Sequence, residues 1–116
     1  MSDEIHSYTQ EELLKISMEI ILHAGNGRQI IQEAYDLARS CANWDVIDKK
    51  LKAAKEELNI AHRNQTEVIQ NTITNLNQQF NFLFIHAQDT LMTINSELLI
   101  TENVLKLHYS SKTQDI

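Results

Sequence analysis

From Ile47 to Val68 a seam recurs at alternating steps of four and three residues: Ile47, Leu51, Ala54, Leu58, Ala61, Gln65 and Val68, with Gln65 its single polar member. That spacing follows the helical repeat closely enough to keep every member on one line of a helix, as in a coiled coil. Two further stretches keep helical spacing. One carries Leu13, Ile16, Ile20, Ala24, Ile31, Ala34, Ala38 and Cys41; the other carries Phe80, Phe84, Ala87, Leu91, Ile94 and Leu98. With no Pro and only two Gly in 116 residues, little in the chain can break a helix. The expected fold is therefore all-α, a three-helix antiparallel bundle forming one domain over residues 1–116. Its helices should span about 9–42, 45–72 and 79–109, with disordered termini at Met1–Tyr8 and Ser110–Ile116.

The boundaries follow from local chemistry. Thr9 with Glu12 three residues on forms a capping box for the first helix, and Asp45 behind Trp44 is a natural N-cap for the second. Between Asn71 and Asn81 lie Thr72, Thr74, Asn75 and Asn77, which is turn chemistry. Gly25-Asn26-Gly27 opposes a helix, each Gly costing about 1 kcal/mol against Ala. The apolar phase stays in register on both sides, so one continuous or slightly kinked helix is expected there. Gly25 would then allow another helix to approach closely. Helices of nearly 30 residues, against a usual mean of about 11–12, make a thin rod that buries its faces poorly alone. Self-association is the natural remedy.

The composition excludes several classes. A net charge of −6 disfavours a nucleic-acid surface, which needs clustered Lys and Arg. Lys49, Lys50, Lys52 and Lys55 read as a solvated helix face. The single Cys41 can form no internal disulfide and reads as a core filler rather than a nucleophile. No apolar run reaches the length of a membrane span and the N-terminus is acidic and polar, so a cytoplasmic protein without a signal peptide is expected.

The chemistry concentrates in Asn81–Thr93. Beside the apolar stripe runs a second line of Phe82, His86, Asp89 and Thr93, and the three-residue step from His86 to Asp89 makes those side chains neighbours. On spacing alone, the commoner reading is an incidental polar pair on a half-exposed face. The sharper one is a nucleophilic histidine beside a carboxylate.

The string IHAQDTLMT resembles the active-site helix of the lactose/cellobiose-type IIA component of the bacterial sugar phosphotransferase system. MEIILHAGNGRQIIQEA is similar to that family's first-helix signature, where a His-Ala-Gly-Asn segment lies within the helix, and AHRNQTEVIQ to the end of its second helix. The resemblance implies a nine-helix homotrimer in which His86 carries a phosphoryl group on Nε2. It implies a donor, the histidine phosphocarrier protein, and an acceptor, the cysteine of a IIB component, with the IIC membrane permease served indirectly. It assigns Asp89 to a metal on the threefold axis. Three carboxylates meeting there repel, and a hard divalent cation such as Mg²⁺, one per trimer, would cancel that repulsion. Gln88 and Thr90 can offer hydrogen bonds at the site edge. His23 and Asn26 either line the site or are satisfied interface polars, and His62 and Arg63 are flagged with an exposed face as the commoner explanation. The chain departs from the family at Thr90, where many members have a second histidine, and at Gly27, where Ala is more usual, which suggests extra local flexibility.

Phosphoryl transfer to nitrogen needs a neutral imidazole with an exposed lone pair, which histidine, with an ordinary pKa of about 6.5, supplies near neutral pH. Two other classes compete. A di-metal carboxylate bundle wants Glu-x-x-His pairs, and the chain has none. A non-catalytic trimeric helical adaptor fits the heptads equally well, and the intact His86 favours the carrier.

Overall fold

The computed structural model describes residues 7–75, 78 and 81–114. Three helices follow in order: α1 over Gln10–Arg39, α2 over Trp44–Thr74 and α3 over Phe82–Gln114. They pack as an up-down-up rod with extents of 65 × 24 × 17 Å. α1 is the shared partner, touching α2 and α3 more extensively than these touch each other.

Each helix contributes one seven-member buried line on the same alternation. On α1 it is Leu13, Ser17, Ile20, Ala24, Gly27, Ile31 and Ala34; on α2, the seven expected positions from Ile47 to Val68. On α3 the line is Phe84, Ala87, Leu91, Ile94, Leu98, Thr101 and Leu105. Two members of the α1 line are ones that hydrophobicity does not reveal. Ser17 is fully buried because its hydroxyl donates to the Leu13 carbonyl at 2.7 Å, which satisfies it inside its own helix. Gly27 is buried because a Cβ there would come within 3.0 Å of Leu58 Cδ2. The close helix approach thus occurs at Gly27, on the α2 side. Gly25 is exposed, with nothing within 4 Å of a Cβ built on it. α1 runs unbroken through both.

Cross-helix contacts fix a parallel α1/α3 register. Tyr8 meets Gln78, Arg28 meets Glu97 and Ala42 meets Tyr109, at sequence separations of 70, 69 and 67. α2 runs antiparallel to α1, with His23 beside Glu57 and Glu33 beside Lys50.

The ends differ from expectation in several places. The Thr9–Glu12 capping box is present as read. α1 stops at Arg39, short of 42, because Cys41 adopts the left-handed conformation with φ 64; it is exposed, a turn residue and not a core filler. Asn43, not Asp45, caps α2, its side-chain oxygen accepting from Val46 N–H at 3.2 Å, and Asp45 sits in the first turn. α2 continues through Asn71 and Thr72 to Thr74, so the asparagine-rich connection is short. Asn81 caps α3 by accepting from Phe84 N–H at 2.8 Å, and α3 extends to Gln114, so most of the segment read as a disordered tail is helical. Phe80, expected on the α3 stripe, lies outside the described residues, as does Met1–His6 of the expected N-terminal tail.

Candidate functional site

His86 lies in the second turn of α3 and is exposed. Among the described residues its ring makes no hydrogen bond or ion pair, so both nitrogens remain available. Its place on the rod follows from the Arg28–Glu97 pair. Eleven residues separate His86 from Glu97, about 20° of helix rotation, so His86 stands on the flank of α3 that faces α1. The same register puts His86 level with Ser17 of α1.

Thr90 does not offer its hydroxyl to the site edge as a free donor. Its Oγ1 donates to the His86 carbonyl at 2.8 Å, and Thr93 Oγ1 donates to the Asp89 carbonyl at 2.8 Å. Both are the usual back-bonds of a hydroxyl inside a helix, and they leave oxygen lone pairs but no spare proton. Gln88 is half-buried, with no hydrogen bond among the described residues.

His23 stands elsewhere within one chain. It is six residues above the level of His86, about 9 Å along the axis, and its Nδ1 lies 3.0 Å from Glu57 Oε1 on α2. Asn26 Nδ2 donates to the same oxygen at 3.0 Å. These bonds, that from His23 foremost, hold the Glu57 carboxyl below its ordinary range. Glu57 is a residue that sequence reading missed, since a glutamate on a lysine-rich helix gives no sign of its partner. His62 and Arg63 are exposed.

Asp89 is exposed and its carboxylate is unengaged among the described residues. It projects from the face of α3 opposite the buried line. That face is apolar for most of its length, with Phe82, Ile85, Met92, Leu99, Ile100 and Leu107 all at least 50% exposed. That outer face is left uncovered within one chain. The donor chemistry suits a hard cation, because an unpaired carboxylate stands in the middle of an apolar strip. One chain does not make a site, since no group of three His, Cys, Asp or Glu side chains able to hold a metal occurs among the described residues.

Comparison with known proteins gives this arrangement a context. Residues 15–109 match the family model for the lactose/cellobiose-specific IIA subunit of the sugar phosphotransferase system. The lichenan-specific phosphotransferase enzyme IIA component of Bacillus subtilis is 39% identical over 98 residues, covering 84% of this chain and 88% of the relative. The lactose-specific EIIA component of Lacticaseibacillus casei is 30% identical over 94 residues, covering 81% of each chain. Among solved structures, PtcA from S. mutans superposes with a TM-score of 0.81 at 35% identity, covering 86% of this chain and 97% of the other. The cellobiose-specific enzyme IIA from Bacillus anthracis gives 0.79 at 30%, covering 91% and 94%.

The three-helix rod and its histidine helix thus define a phosphotransferase component. The chain belongs to the lactose/cellobiose-specific IIA family of the sugar phosphotransferase system. No helix among the described residues is long and apolar enough to cross a membrane.

Proposed function

We propose that this chain is a phosphocarrier that accepts a phosphoryl group on His86 Nε2 from the histidine phosphocarrier protein and passes it to the cysteine of a IIB component. The observation that carries this reading is the exposed His86 ring, with neither nitrogen engaged among the described residues, within the HAQD motif of a family member. In the first step the donor's P–N bond breaks as the Nε2 lone pair bonds to phosphorus. In the second, a cysteine thiolate attacks the same phosphorus, the N–P bond breaks and the neutral imidazole returns. Positioning and electrostatics carry such transfers, because little covalent chemistry falls to other groups.

The active form in this reading is a homotrimer assembled through the outer face of α3, whose exposed apolar side chains need cover. Parallel copies of α3 around a threefold axis bring three Asp89 carboxylates together. These would hold one Mg²⁺, which when bound neutralises their repulsion and has a structural role. The IIC permease receives the phosphoryl group's benefit only indirectly, and the protein works in the cytoplasm.

Incubation with phosphoenolpyruvate and the upstream carriers, followed by intact-mass measurement, tests the reading. One added phosphoryl group per chain is expected. No added mass on the wild type would favour the non-catalytic adaptor, a reading consistent with the committed Thr90 hydroxyl and the lack of a second imidazole at that position.

A further inference from the structure

One turn beyond His86, the Thr90 hydroxyl gives its proton to the His86 carbonyl and has none to offer a phosphoryl oxygen. Gln88 lies about 200° of helix rotation from His86, on the flank of α3 that faces α2. The α2 surface across from that flank carries an imidazole. Lys50 and Glu57 mark the α1-facing side of α2 through Glu33 and His23. His62 lies about 120–140° of helix rotation from them, on the side that faces α3. Counted from those two pairs, His62 stands level with residues 18–21 of α1. The Arg28–Glu97 register carries that height to residues 87–90 of α3, beside Gln88 and within about a turn of His86.

This α2/α3 flank is short of partners. His62, Gln65 and Gln88 make no hydrogen bond or ion pair among the described residues, although Gln65 is only 4% exposed. A buried carboxamide left unbonded is costly, and a further group would relieve it. Elsewhere His23 and Asn26 bond Glu57, Lys50 meets Glu33, and Arg28 holds Glu97. α2 and α3 also touch each other least of the three helix pairs.

The proposed trimer closes this flank. Around a threefold axis every interface is heterologous, so one flank of each copy meets the opposite flank of the next. With α3 innermost and parallel to the axis, the α1-facing flank that holds His86 meets a neighbour's α2-facing flank. Rotation about the axis leaves every residue at its own height. We infer that His62 of the neighbouring copy completes the site around His86, its ring N–H donating a hydrogen bond to the phosphoryl oxygens. The inference rests on the phosphocarrier and trimer readings above. The bonds made and broken stay those of the transfer, and His62 keeps its proton. Its imidazole stabilises the charge on the phosphoryl group, as a donor fixed in place does for an oxyanion.

The test combines two full-length variants in one trimer. His62→Ala should match the wild type in light scattering and thermal unfolding. Its rate of phosphorylation should fall about a hundredfold, with the phosphorylated histidine phosphocarrier protein and with phosphoramidate alike. His86→Ala has no acceptor but keeps His62. Co-expressed in equal amounts with His62→Ala, it supplies that ring to its neighbours, and about half of the His62→Ala chains should regain the fast rate. Intact mass distinguishes the two chains. An unchanged rate in His62→Ala, a loss confined to the protein donor, or no fast phase in the mixed trimers overturns the inference. Dissociation of His62→Ala also overturns it, because His62 is then an assembly contact. A wild type that takes no phosphoryl group from either donor sinks the phosphocarrier reading instead, and a monomeric wild type sinks the trimer.

Discussion

Arg28 on α1 holds the Glu97 carboxylate on α3 through two hydrogen bonds, Nε to Oε1 at 2.9 Å and NH2 to Oε2 at 2.7 Å. The side chains are 51% and 41% exposed, so the pair is worth less than about 1 kcal/mol despite its bidentate geometry. It marks the α1/α3 register in which His86 stands level with Ser17. Arg28→Ala is expected to lower stability by about 0.5–1 kcal/mol in urea unfolding, with a smaller loss at high salt. A loss of several kcal/mol would mean that the pair is covered in the assembled protein.

The two glycines should respond differently to alanine. At Gly25 a Cβ meets nothing within 4 Å, so Gly25→Ala should stabilise α1 by about 1 kcal/mol through helix propensity alone. At Gly27 the same gain is offset, because the new methyl sits 3.0 Å from Leu58 Cδ2 and 3.2 Å from its Cγ. Leu58 can shift its side-chain tip, so Gly27→Ala should fall near neutral, while Gly27→Val should destabilise by about 1–3 kcal/mol through overpacking. Urea midpoints in the order Gly25→Ala, Gly27→Ala, Gly27→Val are the expected outcome.

Glu57 gives the α1/α2 pairing a dependence on pH. Its carboxyl is held below the usual glutamate range, first by His23 and then by Asn26. A depressed folded-state value means that the stabilisation is present above the unfolded glutamate pKa and disappears as the pH falls through the folded one. Stability should therefore decline on acidification below the ordinary range of about 4.3. Glu57→Gln should cost about 1 kcal/mol at pH 7 and flatten that part of the profile. Unfolding midpoints of both proteins between pH 7 and pH 3 provide the measurement.

The seams were legible because aliphatic side chains at steps of four and three have few alternatives to a helix line. Six of the seven α2 positions were readable for that reason, and Gln65 from its place in the same spacing. α1 hid two members, since Ser17 and Gly27 are buried by a back-bond and by a close approach, neither of which hydrophobicity records. The helix ends hid for a different reason. Asn43 and Asp45 are both good caps by type, and the structure has Asn43 accepting from Val46 N–H while Asp45 sits in the first turn. At the site, His86 and Asp89 stood out as a motif. What the motif could not reveal is that the Thr90 hydroxyl is already bonded and that Glu57 engages His23 across the α1/α2 pair. Both are facts of three-dimensional pairing.

Asp89 lies on the apolar outer face of α3, unpaired among the described residues. Replacing a carboxylate that meets its own symmetry copies with an apolar group of similar size can be neutral or stabilising. If the proposed trimer and axial metal are right, Asp89→Leu should keep the assembly and make its thermal unfolding indifferent to chelator, whereas the wild type should lose stability when chelator is added. A wild type that ignores chelator, or a mutant that dissociates, would remove Asp89 from the axis.

His86→Ala should abolish phosphoryl acceptance and leave the fold intact. The side chain is exposed and off the buried line of Phe84, Ala87 and Leu91, so its truncation removes little packing. Three of the other four histidines serve as controls. His23 is bonded to Glu57, His62 is exposed on α2 and His108 is exposed near the end of α3, so their alanine variants should each still gain one phosphoryl group. His23→Ala tests a further point, because it slows transfer only if assembly brings His23 toward a neighbouring copy's His86. The measurement is intact mass after incubation with the phosphorylated donor, together with lability of the adduct in acid and stability in base, as expected of phosphohistidine. If His86→Ala still gains the mass, the nucleophile lies elsewhere. If the wild type never gains it while Thr90→His does, the second imidazole is required and this chain has become an adaptor.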